Sequence, residues 1–171
     1  MMQPKRQPAL DSTHEVRGSI VREPAALQCL VVATDESRRE SMAWAARYGG
    51  WQTTTCGDAP SALERARWTF LQLAIIDLTS PEGGEPTGFR QLVEKLACTS
   101  HVLLLTCGNE GDAEQEVWAR HLGVWMYLPG ATDGDDLSAL CSEARVIVQR
   151  LAAAKEKVGH TSDARALYRP S

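Results

Sequence analysis

The stretch Leu73-Ala74-Ile75-Ile76-Asp77-Leu78 decides how the chain folds, because an unbroken apolar run here ends in a carboxylate. A short apolar run bounded by turn residues is typical of a strand buried on both faces, as in parallel sheets. Ligands of such sheets bind beyond the carboxyl ends of the strands. Asp77 stands at that end, so it is the first candidate for a functional residue.

Apolar runs and helical patterns alternate on both sides of this stretch. Strands are predicted at residues 27–32, 51–55, 73–77, 101–105 and 125–128, and helices at 37–48, 59–68, 88–96, 113–122 and 134 to about 155. Strands that alternate with helices predict an α/β fold, a doubly wound five-stranded parallel sheet with helices on both faces. We expect one domain over residues 27–155, with a polar, disordered extension at 1–26 and a flexible tail at 156–171.

The amino-acid composition argues against several classes of protein, namely membrane-spanning, secreted and nucleic-acid-binding proteins. With 43% apolar and 23% charged residues, the chain has the make-up of a soluble globular protein, with no apolar run long enough for a membrane span and no signal peptide. Five cysteines without a C-x-x-C pair indicate free thiols in a reducing cytoplasm. The net charge is −4; residues 1–26 carry +1 and residues 155–171 carry +2, so residues 27–154 carry −7. An acidic core argues against nucleic-acid binding, which depends on Lys and Arg.

Several residues follow the pattern of a known family. Asp77 ends the third strand with Pro81 four residues later, Thr106 ends the fourth strand, and Tyr127 lies in the fifth. With the order of elements, these residues make the chain resemble the receiver domain of bacterial two-component response regulators, the CheY-like family with a flavodoxin-like fold. The resemblance implies that Asp77 is the phosphoacceptor, that Thr106 and Tyr127 form the activation switch, and that a histidine kinase or a downstream effector is the partner.

Other positions depart from the family pattern. Two adjacent acidic residues that hold Mg²⁺ should follow the first strand, but the chain has Ala33-Thr34 there, and Asp35 and Glu36 come later. A one-residue shift reorients a side chain, so we expect Asp35 to point away from Asp77. The Lys-Pro pair that should end the fifth strand is replaced by Gly130-Ala131. Asp77 and Asp35 are the candidate Mg²⁺ ligands, and a single certain carboxylate predicts weak binding.

The leading hypothesis is a stand-alone receiver-like domain, not an enzyme, that acts through protein–protein contacts with a degraded phosphorylation site. The alternative is a working phosphorelay receiver in which Asp77 accepts phosphate and Asp35 or Glu36 supplies the metal ligand. A third hypothesis, a flavodoxin-like nucleotide-binding enzyme, needs a glycine-rich loop after the first strand, and residues 33–38 contain no glycine. Homodimerisation stays open.

Overall fold

The computed structural model describes residues 26–80, 85–99, 101–130 and 134–166. In chain order the elements are β1 (Gln28–Val32), α1 (Glu36–Tyr48), β2 (Gln52–Cys56), α2 (Ala59–Trp68), β3 (Leu73–Asp77), α3 (Phe89–Ala97), β4 (Leu103–Gly108), α4 (Ala113–His121), β5 (Met126–Pro129) and α5 (Gly134–Ala166). The five strands form one parallel sheet in the order β2-β1-β3-β4-β5. This order confirms the predicted doubly wound α/β fold.

The central strand β3 is buried along its whole length. Its side chains alternate between two cores: Leu73 and Ile75 belong to the core that holds α1 and α5, and Ala74 and Ile76 belong to the core beneath α2 and α3. Because successive side chains of a strand point to opposite faces, Asp77 continues the face of Leu73 and Ile75. The alternation therefore directs the Asp77 carboxylate toward the α1 side of the sheet.

Aspartate side chains cap the amino ends of three helices. Asp58 caps α2, and its carboxylate accepts a hydrogen bond of 2.8 Å from the amide of Ser61. Asp35 and Asp112 cap α1 and α4 in the same way. Each cap satisfies an amide that the first turn of a helix leaves without an intrahelical partner.

Two elements have bounds that differ from the sequence prediction by more than one residue. β4 runs over Leu103–Gly108, two residues later at its start than expected and longer at its carboxyl end. α5 continues to Ala166, whereas its end was predicted near Lys155. The Ala-, Lys- and Glu-rich sequence after Leu151 contains strong helix formers, which explains why the helix goes on.

Some predicted features lie outside the described residues. These are most of the N-terminal extension, Pro81 and part of the loop around it, Ala131, and residues 167–171. Within the part of the chain that is described, no helix is both long and apolar enough to cross a membrane.

Candidate functional site

The Asp77 carboxylate is almost completely buried, with 1% of its surface exposed, and it is paired with an arginine. Arg38 Nε donates to Asp77 Oδ2 at 2.6 Å, and one terminal nitrogen of the same guanidinium donates to Oδ1 at 3.2 Å. This two-pronged geometry is the strong form of an arginine–carboxylate pair. A protein cation therefore already neutralises the candidate phosphoacceptor.

Thr79 completes the hydrogen bonding of this carboxylate. Its backbone amide donates to Asp77 Oδ1 at 3.1 Å, and its hydroxyl donates to the same oxygen at 2.7 Å. From Arg38 and Thr79 together, Asp77 accepts four hydrogen bonds, three of them on Oδ1. The hydrogen bond to Asp77 raises the pKa of the Arg38 guanidinium further, against an opposing effect of burial.

The start of α1 explains how Arg38 reaches Asp77. Asp35 caps this helix, and its carboxylate accepts a 2.8 Å hydrogen bond from the backbone amide of Arg38. Arg38 therefore lies in the first turn, at the carboxyl edge of the sheet. Side chains of a helix lean toward its amino end, which carries the guanidinium back over the end of β3.

The residues present do not fit the Mg²⁺ ion that the receiver family uses. Asp35 serves as a helix cap, and both oxygens of Asp77 are engaged by Arg38. Among the described side chains, no group of three or more His, Cys, Asp or Glu is arranged to hold a metal ion. Mg²⁺ requires oxygen ligands in near-octahedral geometry, and the arginine that bonds both oxygens of Asp77 supplies none.

Gly130 lies at the position where the sequence resemblance implies a lysine, and its backbone conformation is left-handed, with φ of 78°. Its amide donates to the carbonyl of Gly108 at 2.9 Å. A lysine in this conformation costs about 1–2 kcal/mol. The backbone at this position therefore favours glycine. A lysine here would differ in its side chain and would also strain the backbone.

The two predicted switch residues lie side by side. Thr106 of β4 and Tyr127 of β5 are register partners in the parallel sheet. The Thr106 hydroxyl is fully buried and has no hydrogen-bond partner among the described residues. Tyr127 is also buried, and its hydroxyl donates to Gln115 Oε1 at 2.9 Å. The ring therefore points inward, toward α4.

Gln115 is a site residue that the sequence did not reveal. It is 2% exposed, and its Oε1 also accepts the Asn109 amide at 3.2 Å. Gly108 makes this arrangement feasible, because a Cβ atom there would overlap both the Tyr127 hydroxyl and Gln115 Oε1. Burial, with smaller effects from Asp112 and Glu116, raises the pKa of Tyr127. The tyrosine is thus held inward and neutral by contacts that do not involve Asp77.

Comparisons with known proteins agree on the fold. No protein-family model matches the sequence, and no curated protein matches it either. Solved structures do match, and those described next are response-regulator receivers. A CheY-like receiver domain protein from Methanospirillum hungatei JF-1 has a TM-score of 0.63 at 17% identity, over 74% of this chain and 98% of that one.

Two further structures give the same result. A response regulator receiver protein from Pseudomonas putida matches with a TM-score of 0.59 at 22% identity, over 70% of this chain and 98% of its own. The chemotaxis response regulator CheY4 of Vibrio cholerae matches with a TM-score of 0.58 at 17% identity, over 70% and 98%. The chain therefore has the CheY-like receiver fold, as the sequence resemblance implied. At these identities the likeness defines the fold, and the function has to be argued from the site.

Proposed function

We propose that this protein is a receiver-like signalling module that works by binding other proteins, with Asp77 held neutralised by Arg38 instead of being phosphorylated. One observation carries the proposal: the guanidinium of Arg38 contacts both oxygens of the buried Asp77 carboxylate, at 2.6 and 3.2 Å. The protein's own cation takes the electrostatic place that a metal ion would have.

The chemistry of phosphoryl transfer supports this proposal. An acceptor carboxylate must present a free lone pair to phosphorus, and cations must neutralise the charge that spreads over the phosphoryl oxygens. Here Asp77 Oδ2 is hydrogen-bonded to Arg38, and the family's lysine position holds Gly130. Loss of one preorganised electrostatic group typically slows a reaction by about 10²–10³. Loss of the lysine and the metal site together makes efficient phosphorylation by the usual route unattainable.

The proposal places the protein in two-component-type signalling, with a histidine kinase or a downstream effector as its partner. We assign it a binding role without catalysis and without a nucleic-acid partner. A cytoplasmic location suits the five cysteines, none of which is in a disulfide. Tyr127 points inward and donates a hydrogen bond to Gln115. In the proposal, this bond holds the surface formed by β5 and α4 in a single conformation.

Intact mass after incubation with acetyl phosphate and Mg²⁺ tests the proposal. A receiver domain that autophosphorylates serves as the positive control in the same buffer, and Asp77→Ala serves as the specificity control. We expect no phosphoryl adduct on this protein under conditions that fully modify the positive control.

An adduct that disappears in Asp77→Ala would overturn the proposal. It would establish the alternative, a working phosphorelay receiver, and would require Asp35 or Glu36 to leave the first turn of α1 and supply a metal ligand. An adduct that persists in Asp77→Ala would place the modification elsewhere and would leave the Asp77 proposal standing.

A further inference from the structure

The end of the domain opposite Asp77 carries an exposed aromatic surface. Asp77 ends β3, whereas Phe70 precedes that strand and His101 precedes β4, so these two side chains lie at the amino ends of the strands. Phe70 is 65% exposed and stacks on His101, with 4.4 Å between ring centroids and 10° between ring planes. Trp68, the last residue of α2, is 84% exposed. Large aromatic side chains exposed together are typical of interaction sites.

Two grooves meet at His101. The α2–α3 groove has a volume of about 280 Å³ and includes Arg67 and Lys95 in its wall. The α5 groove has a volume of about 250 Å³ and runs between Phe70 and the α5 residues Leu151 and Lys155. We call the two grooves together the basal surface. Each is smaller than a typical site for a whole small-molecule ligand, which has about 300–1,000 Å³, and each has the size of a pocket for one bulky side chain.

The charge of the basal surface contrasts with that of the domain. The charged residues that line the two grooves are Arg67, Lys95 and Lys155, and no acidic residue lines them in the described part of the chain. The whole chain, in comparison, has a net charge of −4. An apolar, basic surface on an acidic protein complements a partner that combines bulky apolar side chains with carboxylates.

We propose that the basal surface is a docking site for an acidic protein segment that inserts apolar side chains into the two grooves. The concave shape favours inserted side chains over a flat lipid surface. This docking site does not involve Asp77, so it is independent of the phosphorylation proposal and fails or stands separately from it.

Selection of binders from a displayed library of random 12-residue peptides on the full-length protein tests the inference. We expect the selected peptides to be enriched in Asp and Glu next to Leu, Phe or Trp. Phe70→Ser and Lys95→Glu should each weaken binding of a selected synthetic peptide by roughly tenfold or more, as expected for an interface anchor and its charged neighbour.

Matched controls come from α1. Tyr48→Ser removes an aromatic side chain that is 74% exposed, and Arg47→Glu makes the same charge reversal as Lys95→Glu on a half-exposed arginine. Both controls should leave peptide binding within about twofold. Circular dichroism of all four variants should match the wild type, because every substituted side chain is largely exposed.

Four results would overturn the inference. They are the absence of selected binders, selection of neutral or basic peptides, equal loss of binding in the α1 controls, and unchanged binding in Phe70→Ser and Lys95→Glu. Two further assays distinguish other occupants of the basal surface. Sedimentation with phosphatidylglycerol vesicles that is lost in Phe70→Ser would make the occupant a membrane. Concentration-dependent self-association that is lost in Phe70→Ser would make it a second copy of the chain.

Discussion

Removal of the Arg38 guanidinium should destabilise the protein by leaving Asp77 buried without its cation. We choose Arg38→Met, because methionine keeps part of the length and the apolar contacts of the arginine stem. Removing one partner of a fully buried ion pair typically costs 3–5 kcal/mol. The Arg38 side chain is 31% exposed, and Thr79 still donates two hydrogen bonds to Asp77. Both facts lower the expected loss to about 2–3 kcal/mol of unfolding free energy.

Urea unfolding at neutral pH, followed by tryptophan fluorescence, measures this loss by linear extrapolation. Arg39→Met is the matched control, since one nitrogen of this guanidinium donates to the backbone carbonyls of Ala33 at 2.8 Å and Thr34 at 3.4 Å and not to a carboxylate. The control should lose about 1 kcal/mol, because the second hydrogen bond is long and exposed and shares its donor with the first.

A double-mutant cycle isolates the ion pair from other effects of the substitution. Arg38→Met combined with Asp77→Asn removes both charges, so no uncompensated carboxylate stays buried. We expect a coupling energy of about 2 kcal/mol between the two substitutions. The stability losses of independent substitutions add to within about 0.5 kcal/mol, so the expected coupling is well above that limit. Additive losses, or an Arg38→Met variant as stable as Arg39→Met, would refute the ion-pair reasoning.

Three further predictions concern other parts of the fold. Gly108→Ala should cost about 1–3 kcal/mol in urea unfolding, since its Cβ would overlap the Tyr127 hydroxyl and Gln115; a loss below about 0.5 kcal/mol would contradict that packing. Because burial raises the pKa of Tyr127 above 10.0, the folded protein holds this proton longer than the unfolded chain. Stability should thus fall as pH rises above 10, and Tyr127→Phe should remove part of this fall; identical pH profiles would count against it. Ellman's reagent should label one thiol quickly, that of exposed Cys98, because the other four cysteines are buried and burial raises the pKa of Cys141 to about 12; rapid labelling that survives Cys98→Ser would disprove this.

The sheet and the position of Asp77 could be predicted because their signals are local. The apolar run of β3 and its terminal carboxylate are contiguous in the sequence, and burial on both faces follows from the run itself. The predicted helix starts at Ala59 and Gly134 were also correct. At α2 the signal is local, since the capping residue Asp58 acts within one turn. Element ends without a local stop signal were less accurate, as the length of α5 illustrates.

The partner of Asp77 could not be predicted with the same ease, because 39 residues separate it from Arg38. One signal was nevertheless present. An arginine three residues after the helix cap Asp35 lies at the carboxyl edge of a parallel sheet, where its side chain leans toward the strand ends.

Gln115 was missed for a different reason. A glutamine in a helix is usually solvated, and only the tertiary structure shows that this one is buried and bonded to Tyr127. Its role also depends on the absence of a side chain at Gly108, which no pattern within α4 could indicate. Thr106 and Tyr127 are register partners in the sheet, and their role as a switch stays a prediction. The contact that fixes the tyrosine depends on the fold.

The most direct test of the central claim is nuclear magnetic resonance of the Arg38 guanidinium in the full-length protein. A bidentate pair with Asp77 predicts an Arg38 Nε–H resonance that exchanges slowly with water and is unaffected by Mg²⁺. In Asp77→Asn this resonance should move and exchange rapidly. A wild-type Arg38 Nε–H that exchanges as fast as that of a solvated arginine, or one released by added Mg²⁺, would contradict the account and would return Asp77 to the group of metal-binding phosphoacceptors.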